Sequence, residues 1–390
     1  MRSFDVPPDT VWLRSPSYDP VVLTSYDDFP VHQASVPIAH SATPDVNHYD
    51  RYFFNGYTSD GALYFGLAMG LYSNRHVVDS AFSVVRDSQQ VSVFASGRAP
   101  MDRRDATTVG PLRVEDVEPL HVLRLHADAP DHGLRAELTF TADSDPIEEP
   151  HFFQRVGVRT LFDYTRLTQF GTWEGWIELD GVRIDLAGLT VMGSRDRSWG
   201  VRPVGEPAPS GAPVAMPQFF WLWAPVSFPD FATHFDVNEY GDGRRWHEVG
   251  AIAEHGMAAE MMRTVDYRIT WLPGTRYAAT FEYDLIGWDG RTATIHLDPM
   301  FNFQMNGIGY GHPEWNHGNW RGESAVGGQR LALPVADPLT RENVHVQTLC
   351  RATYHDTTGR TANGTGILEQ LCVGEHPTGL RGILDGYQPA

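Results

Sequence analysis

The sequence predicts an all-β protein of many strands of modest length, and three observations carry that prediction. Apolar and polar residues alternate with a period of two in several segments, the signature of half-buried strands. Gly (37) and Pro (27) are spread too evenly over 390 residues for long helices. Turn-compatible pairs punctuate the alternating runs. Strands in such number must bury their apolar faces in barrels or sandwiches.

Residues 1–48 are rich in Pro, Asp and Ser and read as a leading arm with little regular structure. From Tyr49 the strand pattern begins, with Asn55-Gly56 and Asp60-Gly61 as expected turns. Leu134, Ala136, Leu138 and Phe140 face one way, and Arg135, Glu137 and Thr139 the other. Trp173 to Leu186 reads as a hairpin about Asp180-Gly181, with Val182, Ile184 and Leu186 alternating against Arg183 and Asp185. The Pro-rich connector Arg202 to Pro217 is the best boundary, dividing the chain into 1–202 and 203–390. Beyond it, Asp242-Gly243, Asp289-Gly290, Asn306-Gly307 and Asn363-Gly364 are further expected turns. Phe281, Tyr283 and Leu285, then Ala293, Ile295 and Leu297, mark strands. Met257 to Val265 is the best candidate for a short helix.

Composition narrows the function. The net charge is 30 − 49 = −19, which argues against nucleic acid or an anionic membrane as partner. Cys350 and Cys372 cannot make a disulfide framework or a Cys-rich zinc site. Free buried thiols in a reducing cytoplasm are expected, with one disulfide between neighbouring strands as the alternative. No signal-peptide pattern precedes Trp12, and no apolar run nears the roughly 20 residues of a membrane helix. The expectation is a cytoplasmic protein with an apolar small-molecule partner, without nucleic acid or membrane insertion. A homodimer is compatible with the sequence.

The mid-chain stretch Gly193-Ser194-Arg195-Asp196-Arg197-Ser198-Trp199-Gly200 is the first candidate for chemistry. In an extended chain Ser194, Asp196 and Ser198 share one face, and Arg195, Arg197 and Trp199 the other. A carboxylate then points one way and a cationic, aromatic ladder the other. A structural ion pair tying two sheets together is the competing reading. Aromatic residues make up 12% of the chain and cluster around Phe152 to Trp176, Phe219 to Phe231, and Tyr310 to Trp320. They fill either a bulky core or the walls of an apolar cavity whose π-faces stabilise a developing cation.

The third cluster lies in Gly309-Tyr310-Gly311-His312-Pro313-Glu314-Trp315-Asn316-His317-Gly318-Asn319-Trp320. His312, Glu314 and His317 match no standard zinc spacing, so no metal is expected; an acid/base pair or a hydrogen-bonded corner fits better. No nucleophile elbow, Walker loop or dinucleotide fingerprint is present, which disfavours cofactor-dependent redox and phosphoryl chemistry.

The run from Phe162-Asp163-Tyr164 through Gly181-Val182-Arg183-Ile184 to Arg195-Asp196-Arg197-Ser198-Trp199-Gly200 resembles the carotenoid 1,2-hydratase (hydroxyneurosporene synthase) and AttH-like family, whose mid-chain signature is D-x-x-W-G. The stretch 309–320 is similar to a second signature of one branch of that family. The resemblance implies two tandem lipocalin-like (calycin-type) antiparallel β-barrels without metal or organic cofactor. It implies action on polyenes, terpenoids or polyketide chains, by hydratases, cyclases or catalysts of Diels–Alder reactions. Ser194-Arg195 replaces the aromatic-Met pair common before the signature Asp, which argues against a carotenoid.

The expected function is cofactor-independent acid/base hydration, dehydration, isomerisation or cyclisation of an unsaturated apolar molecule such as a terpenoid. Asp196 is the candidate acid/base. If Arg195 or Arg197 contacts it, its pKa falls and Glu314, His312 or His317 takes the role. Trp199, Trp221, Trp223, Trp315 and Tyr164 are expected to line the pocket, with Trp173, Tyr310 and Trp320 as further wall candidates. Arg195 and Arg197 are expected to be structural. The rivals are a pericyclase, a lipocalin-like carrier of an apolar ligand, and a carbohydrate binder using exposed Trp.

Overall fold

A computed structural model of the protein describes residues 23–30, 37, 40–100, 107–206 and 218–389. Much of the expected arm, and 207–217 of the expected connector, lie outside the described residues. Twenty-four strands dominate the rest. The first thirteen are β1 (His48–Thr58), β2 (Tyr64–Tyr72), β3 (Val77–Arg86), β4 (Gln89–Arg98), β5 (Thr108–Val109), β6 (Leu112–Glu118), β7 (Val122–Ala129), β8 (Leu134–Ala142), β9 (Ile147–Glu148), β10 (Phe152–Val156), β11 (Arg159–Leu179), β12 (Val182–Asp185) and β13 (Val191–Val201). The others are β14 (Phe219–Trp223), β15 (Val226–Ser227), β16 (Phe231–Glu239), β17 (Arg245–Glu254), β18 (Glu260–Met261), β19 (Thr264–Trp271), β20 (Ala278–Ile286), β21 (Thr292–Gln304), β22 (Ser324–Ala332), β23 (Val346–Asp356) and β24 (Thr361–Val373). Helical structure among the described residues is limited to four short 3₁₀ turns, so no helix is long and apolar enough to cross a membrane.

The strands form two antiparallel sheets. The first runs β22-β4-β3-β2-β1-β13-β11-β8-β7-β6-β5, and the second β18-β17-β16-β14-β24-β23-β21-β20-β19. Each curls about its own apolar core, as a strongly twisted sheet of this width must. In the first, Val91 and Val93 of β4 share one buried cluster with Leu112 and Val114 of β6. In the second, the Met262 amide after β18 donates to the Gly250 carbonyl of β17 at 2.8 Å, drawing β19 against β17. This is a two-part lipocalin-like β architecture. The boundary expected at 202/203 falls between strands of different sheets. Yet β22, from beyond it, pairs with β4 and extends the first sheet.

The alternation of Leu134 to Phe140 becomes alternating burial along β8, and that of Phe281 to Leu285 does the same along β20. β1 is buried at every position because both faces are covered. Tyr52 and Phe54 enter the first core, while Phe53 and Tyr57 face the second sheet. There they pack with Trp223, Phe303, Leu349 and Ile367, so the outer face of the first barrel is the inner face of an inter-barrel core.

Some local expectations fail. Met257 to Val265 is no helix: Ile252 pairs with Glu260 and Ala251 with Met261, and tertiary pairing overrides a weak helical pattern. Asn306-Gly307 sits in a 3₁₀ turn, Met305–Ile308. Asn55-Gly56 and Asn363-Gly364 lie inside β1 and β24. Their glycines serve close approach instead. A Cβ on Gly56 would stand 2.1 Å from the Phe65 ring, and one on Gly364 would stand 2.4 Å from the Ser227 carbonyl oxygen. Cys350 and Cys372 are buried free thiols.

Candidate functional site

β13 lies between β1 and β11, with Asp196 opposite Phe53 and Thr168, and Ser198 opposite Arg51 and Arg166. Its two faces separate as the pleat demands. Arg195 and Arg197 turn into the first barrel. Arg195 Nη1 donates to Asp28 Oδ1 at 2.6 Å and its Nε to Gln169 Oε1 at 2.9 Å. Arg197 pairs with Asp50 and lies 4.2 Å from the centre of the Tyr52 ring. Both guanidiniums are fully buried struts that tie the 3₁₀ turn Ser25–Asp28 and β1 to β13.

Asp196 and Ser198 turn the other way, into a cavity of about 340 Å³ between the barrels. Phe162 and Tyr164 of β11 and Phe219 and Trp221 of β14 supply aromatic wall, and Leu371 and Val373 of β24 aliphatic wall. Asp196 has no hydrogen-bond partner among the described residues. Burial pushes its carboxyl up to about 6, against the pull of Arg166, Arg51 and Arg202. The fear that Arg195 or Arg197 would quench it is removed by strand alternation, since both lie on the opposite face.

The stretch 309–320 reaches the same cavity from the second half, contributing Tyr310, Asn316 and His317. It is moored to the first barrel. Gly318 donates its amide to Asp79 Oδ2 at 2.7 Å, and Ser96 donates its hydroxyl to the Asn319 carbonyl at 3.1 Å. His317 is buried, and its Nε2 has no hydrogen-bond partner. Burial, reinforced by Arg51 and Arg202, drives its basicity well below the ordinary histidine value. The imidazole is therefore neutral at pH 7. The Tyr310 ring stands edge-on between His317 at 4.0 Å and His345 at 4.8 Å. A carboxyl that is protonated below about pH 6 and a neutral imidazole thus line one recess.

Other sequence-predicted residues lie elsewhere. Glu314 is exposed, paired with Arg321 at 3.1 Å. His312 caps its own loop: its Nδ1 accepts from the amides of Glu314 and Trp315 at 3.1 and 3.0 Å. Trp315 stacks on Phe94 at 5.6 Å, and Trp320 is 46% exposed beneath Arg98. Trp173 belongs to the first core, its indole N–H donating to the Asn55 carbonyl. Trp223 fills the inter-barrel core. Trp199 shares the arginine face of β13, away from the cavity wall. The short spacing of 309–320 cannot distinguish residues that face inward from those that shape the loop.

Sequence reasoning missed the polar floor. Arg166 Nε and Nη2 clamp Glu149 at 2.8 and 2.5 Å, and Nη2 also binds Asp236. Burial alone would raise the Glu149 pKa, but Arg166 and His234 hold it well below the usual carboxylate range. Asp236 further accepts from Trp221 Nε1 at 3.0 Å and Asn238 Nδ2 at 2.9 Å. Glu149, Asp236 and His247 converge closely enough to hold a cation. The Arg166 guanidinium already occupies that role between the two carboxylates. Alternation of Tyr164, Arg166 and Thr168 was the available signal for Arg166. Its partners come from distant strands and had none. On the facing side, His345 Nε2 and Gln347 Nε2 each meet Glu369 at 2.6 Å.

Comparison with solved structures supports the architecture. The fold is similar to an AttH-like protein (NE1406) from Nitrosomonas europaea, at TM-score 0.50 and 13% identity over 83% of this chain and 92% of that one. It is similar to kievitone hydratase from Nectria haematococca, at TM-score 0.51 and 10% identity over 83% and 88%. It is also similar to CghA in complex with Sch210972, at TM-score 0.50 and 10% identity over 86% and 90%. At these identities the likeness is one of fold. No curated protein matches the sequence. The profile of a family of unknown function, DUF8625, matches residues 23–381, and the chain is a member of that family.

Proposed function

We propose that the protein is a cofactor-independent enzyme that hydrates, dehydrates, isomerises or cyclises an unsaturated hydrophobic small molecule held between its two barrels. One observation carries this reading: Asp196, with no hydrogen-bond partner among the described residues and its pKa pushed up to about 6, faces an apolar-walled cavity. Protonating an alkene or a leaving hydroxyl requires an acid that is dry, neutral and unspent on other partners. The neutral His317 adds an uncharged polar group beside it, and the rings of Tyr164 and Trp221 offer π-faces to a developing cation. The fold likeness to a hydratase, kievitone hydratase, agrees with this chemistry.

The test is turnover of a panel of terpenoid, polyene and polyketide-like alkenes in deuterium oxide. One deuterium should enter at a defined product carbon. Asp196→Asn should lower turnover at least ~10²-fold with little change in ligand affinity. A folded Asp196→Asn protein with full activity would exclude the acid role and leave a pericyclic reaction. A protein that binds such ligands without any turnover would be a carrier.

A further inference from the structure

We infer that the ligand of this cavity carries an anionic oxygen group, a carboxylate or an acidic enolate, and that Arg202 reads it with help from Arg341. The inference rests on the small-molecule site proposed above and deepens it.

The charges on the cavity wall do not balance. Three guanidiniums line it, those of Arg166, Arg202 and Arg341, against one carboxylate, Asp196. Arg166 is neutralised beneath the wall by Glu149 and Asp236. Arg202 is not. It makes no ion pair among the described residues, and the one hydrogen bond of its side chain there is a weak 3.5 Å contact from Nη2 to the Tyr310 hydroxyl. Aromatic rings flank its guanidinium instead, with the central carbon 4.4 Å from the centre of Tyr49 and 5.7 Å from that of Tyr310. These ring contacts use none of its N–H donors and leave most of them unspent. The guanidinium is half-buried at the cavity wall, and none of its nitrogens is sealed off without a partner, so its donors stay open to an anionic group in the cavity. Asp196 does not: it forms no salt bridge with Arg202, although Arg202 is near enough to pull on its pKa. Arg341 is exposed and without a side-chain partner among the described residues, placing a second cation at the rim.

A planar, bidentate donor favours the paired oxygens of a carboxylate or of a 1,3-dicarbonyl enolate. The remaining walls are apolar, so the ligand has a hydrophobic body and one acidic end. That end is seated beside Asp196, which places the unsaturated carbon to be protonated near the acidic group rather than at the far tail.

Two fluorescent probes that differ by one charged group test this. They are 1-anilinonaphthalene-8-sulfonate and its uncharged parent N-phenyl-1-naphthylamine. The wild-type protein should bind the anionic probe at least ~10-fold more tightly, given charge-assisted bonds from a half-buried arginine without a counter-ion among the described residues. Arg202→Gln should abolish the preference by weakening only the anionic probe. Arg202→Lys should retain part of it. Arg341→Gln, a rim change with little risk to folding, should reduce it about threefold and make it less salt-sensitive. Equal affinities in the wild type, or a preference unchanged in folded Arg202→Gln and Arg341→Gln, would overturn the inference and leave the apolar site intact. Failure of both probes to bind would overturn the inference together with the site itself.

Discussion

Asp196 shows how one position acquires a role from its neighbours. Its strand alternation sends two arginines into the barrel and leaves the carboxyl facing an apolar recess. Burial then raises its pKa to about 6, even though Arg166, Arg51 and Arg202 oppose the shift. A proton donor of this kind is competent when protonated, so kcat should be highest below about pH 6 and fall about tenfold per unit above it. A kcat profile flat from pH 5 to 8 would rule Asp196 out as the acid. His317→Gln should lower turnover and leave that limb in place, since His317 is neutral across this range. The Arg195–Asp28 pair behaves differently: both side chains are fully buried. Asp28→Asn should therefore destabilise the fold by about 3–5 kcal/mol, the cost of stranding a buried charge, measured by denaturant unfolding.

At the scale of elements, the decisive contacts are made by strands and loops that cross between halves. The stretch 309–320 is moored by Asp79 and Ser96 and delivers Tyr310 and His317 to the cavity that Asp196 of β13 faces. β22 returns to pair with β4. β1 is buried on both faces, and Gly56 in it must stay small because the Phe65 ring lies against its Cα. Gly56→Ala should destabilise by about 1–3 kcal/mol through overpacking, with Phe65→Leu in the same chain recovering part of the loss. Equal stability of Gly56→Ala and the wild type would show that the ring moves aside freely.

Across the whole molecule, buried carboxylates make stability depend on pH in an unusual sense. Burial raises Asp79 to about 6, Asp196 to about 6 and Asp116 to about 7. A carboxyl whose pKa is higher folded than unfolded stabilises the fold fully below its unfolded value, near 4. That contribution is lost as pH rises through the folded value. These three groups therefore favour the fold at pH 4 and lose that benefit by about pH 7. Glu149, held low, acts oppositely in acid. Asp116→Asn should raise the Tm at pH 8 relative to the wild type and leave it little changed at pH 4. A Tm difference independent of pH would contradict the assignment. The two barrels are also joined by a shared core of Phe53, Tyr57, Trp223 and Phe303. Residues 1–202 expressed alone should expose that face and β4's edge and aggregate, as read by light scattering.

The sequence by itself determined strands such as β8 and β20, because a period of two is a local property, whereas the turn pairs at 55–56 and 363–364 fall inside β1 and β24. It also determined which face of β13 each charge takes, since the pleat alone separates Asp196 from Arg195 and Arg197. It marked 309–320 as a cluster, but a loop has no periodicity to say which side chains turn inward. Only the tertiary structure decided that His317 and Tyr310 enter the cavity while Glu314 and His312 do not. Only it joined Arg166 to Glu149 and Asp236, or left Arg202 without a counter-charge among the described residues, because those relations run between strands remote in sequence. The same holds for the acidity of Asp196: the residue is written in the chain, but its pKa is set by water excluded where two barrels meet.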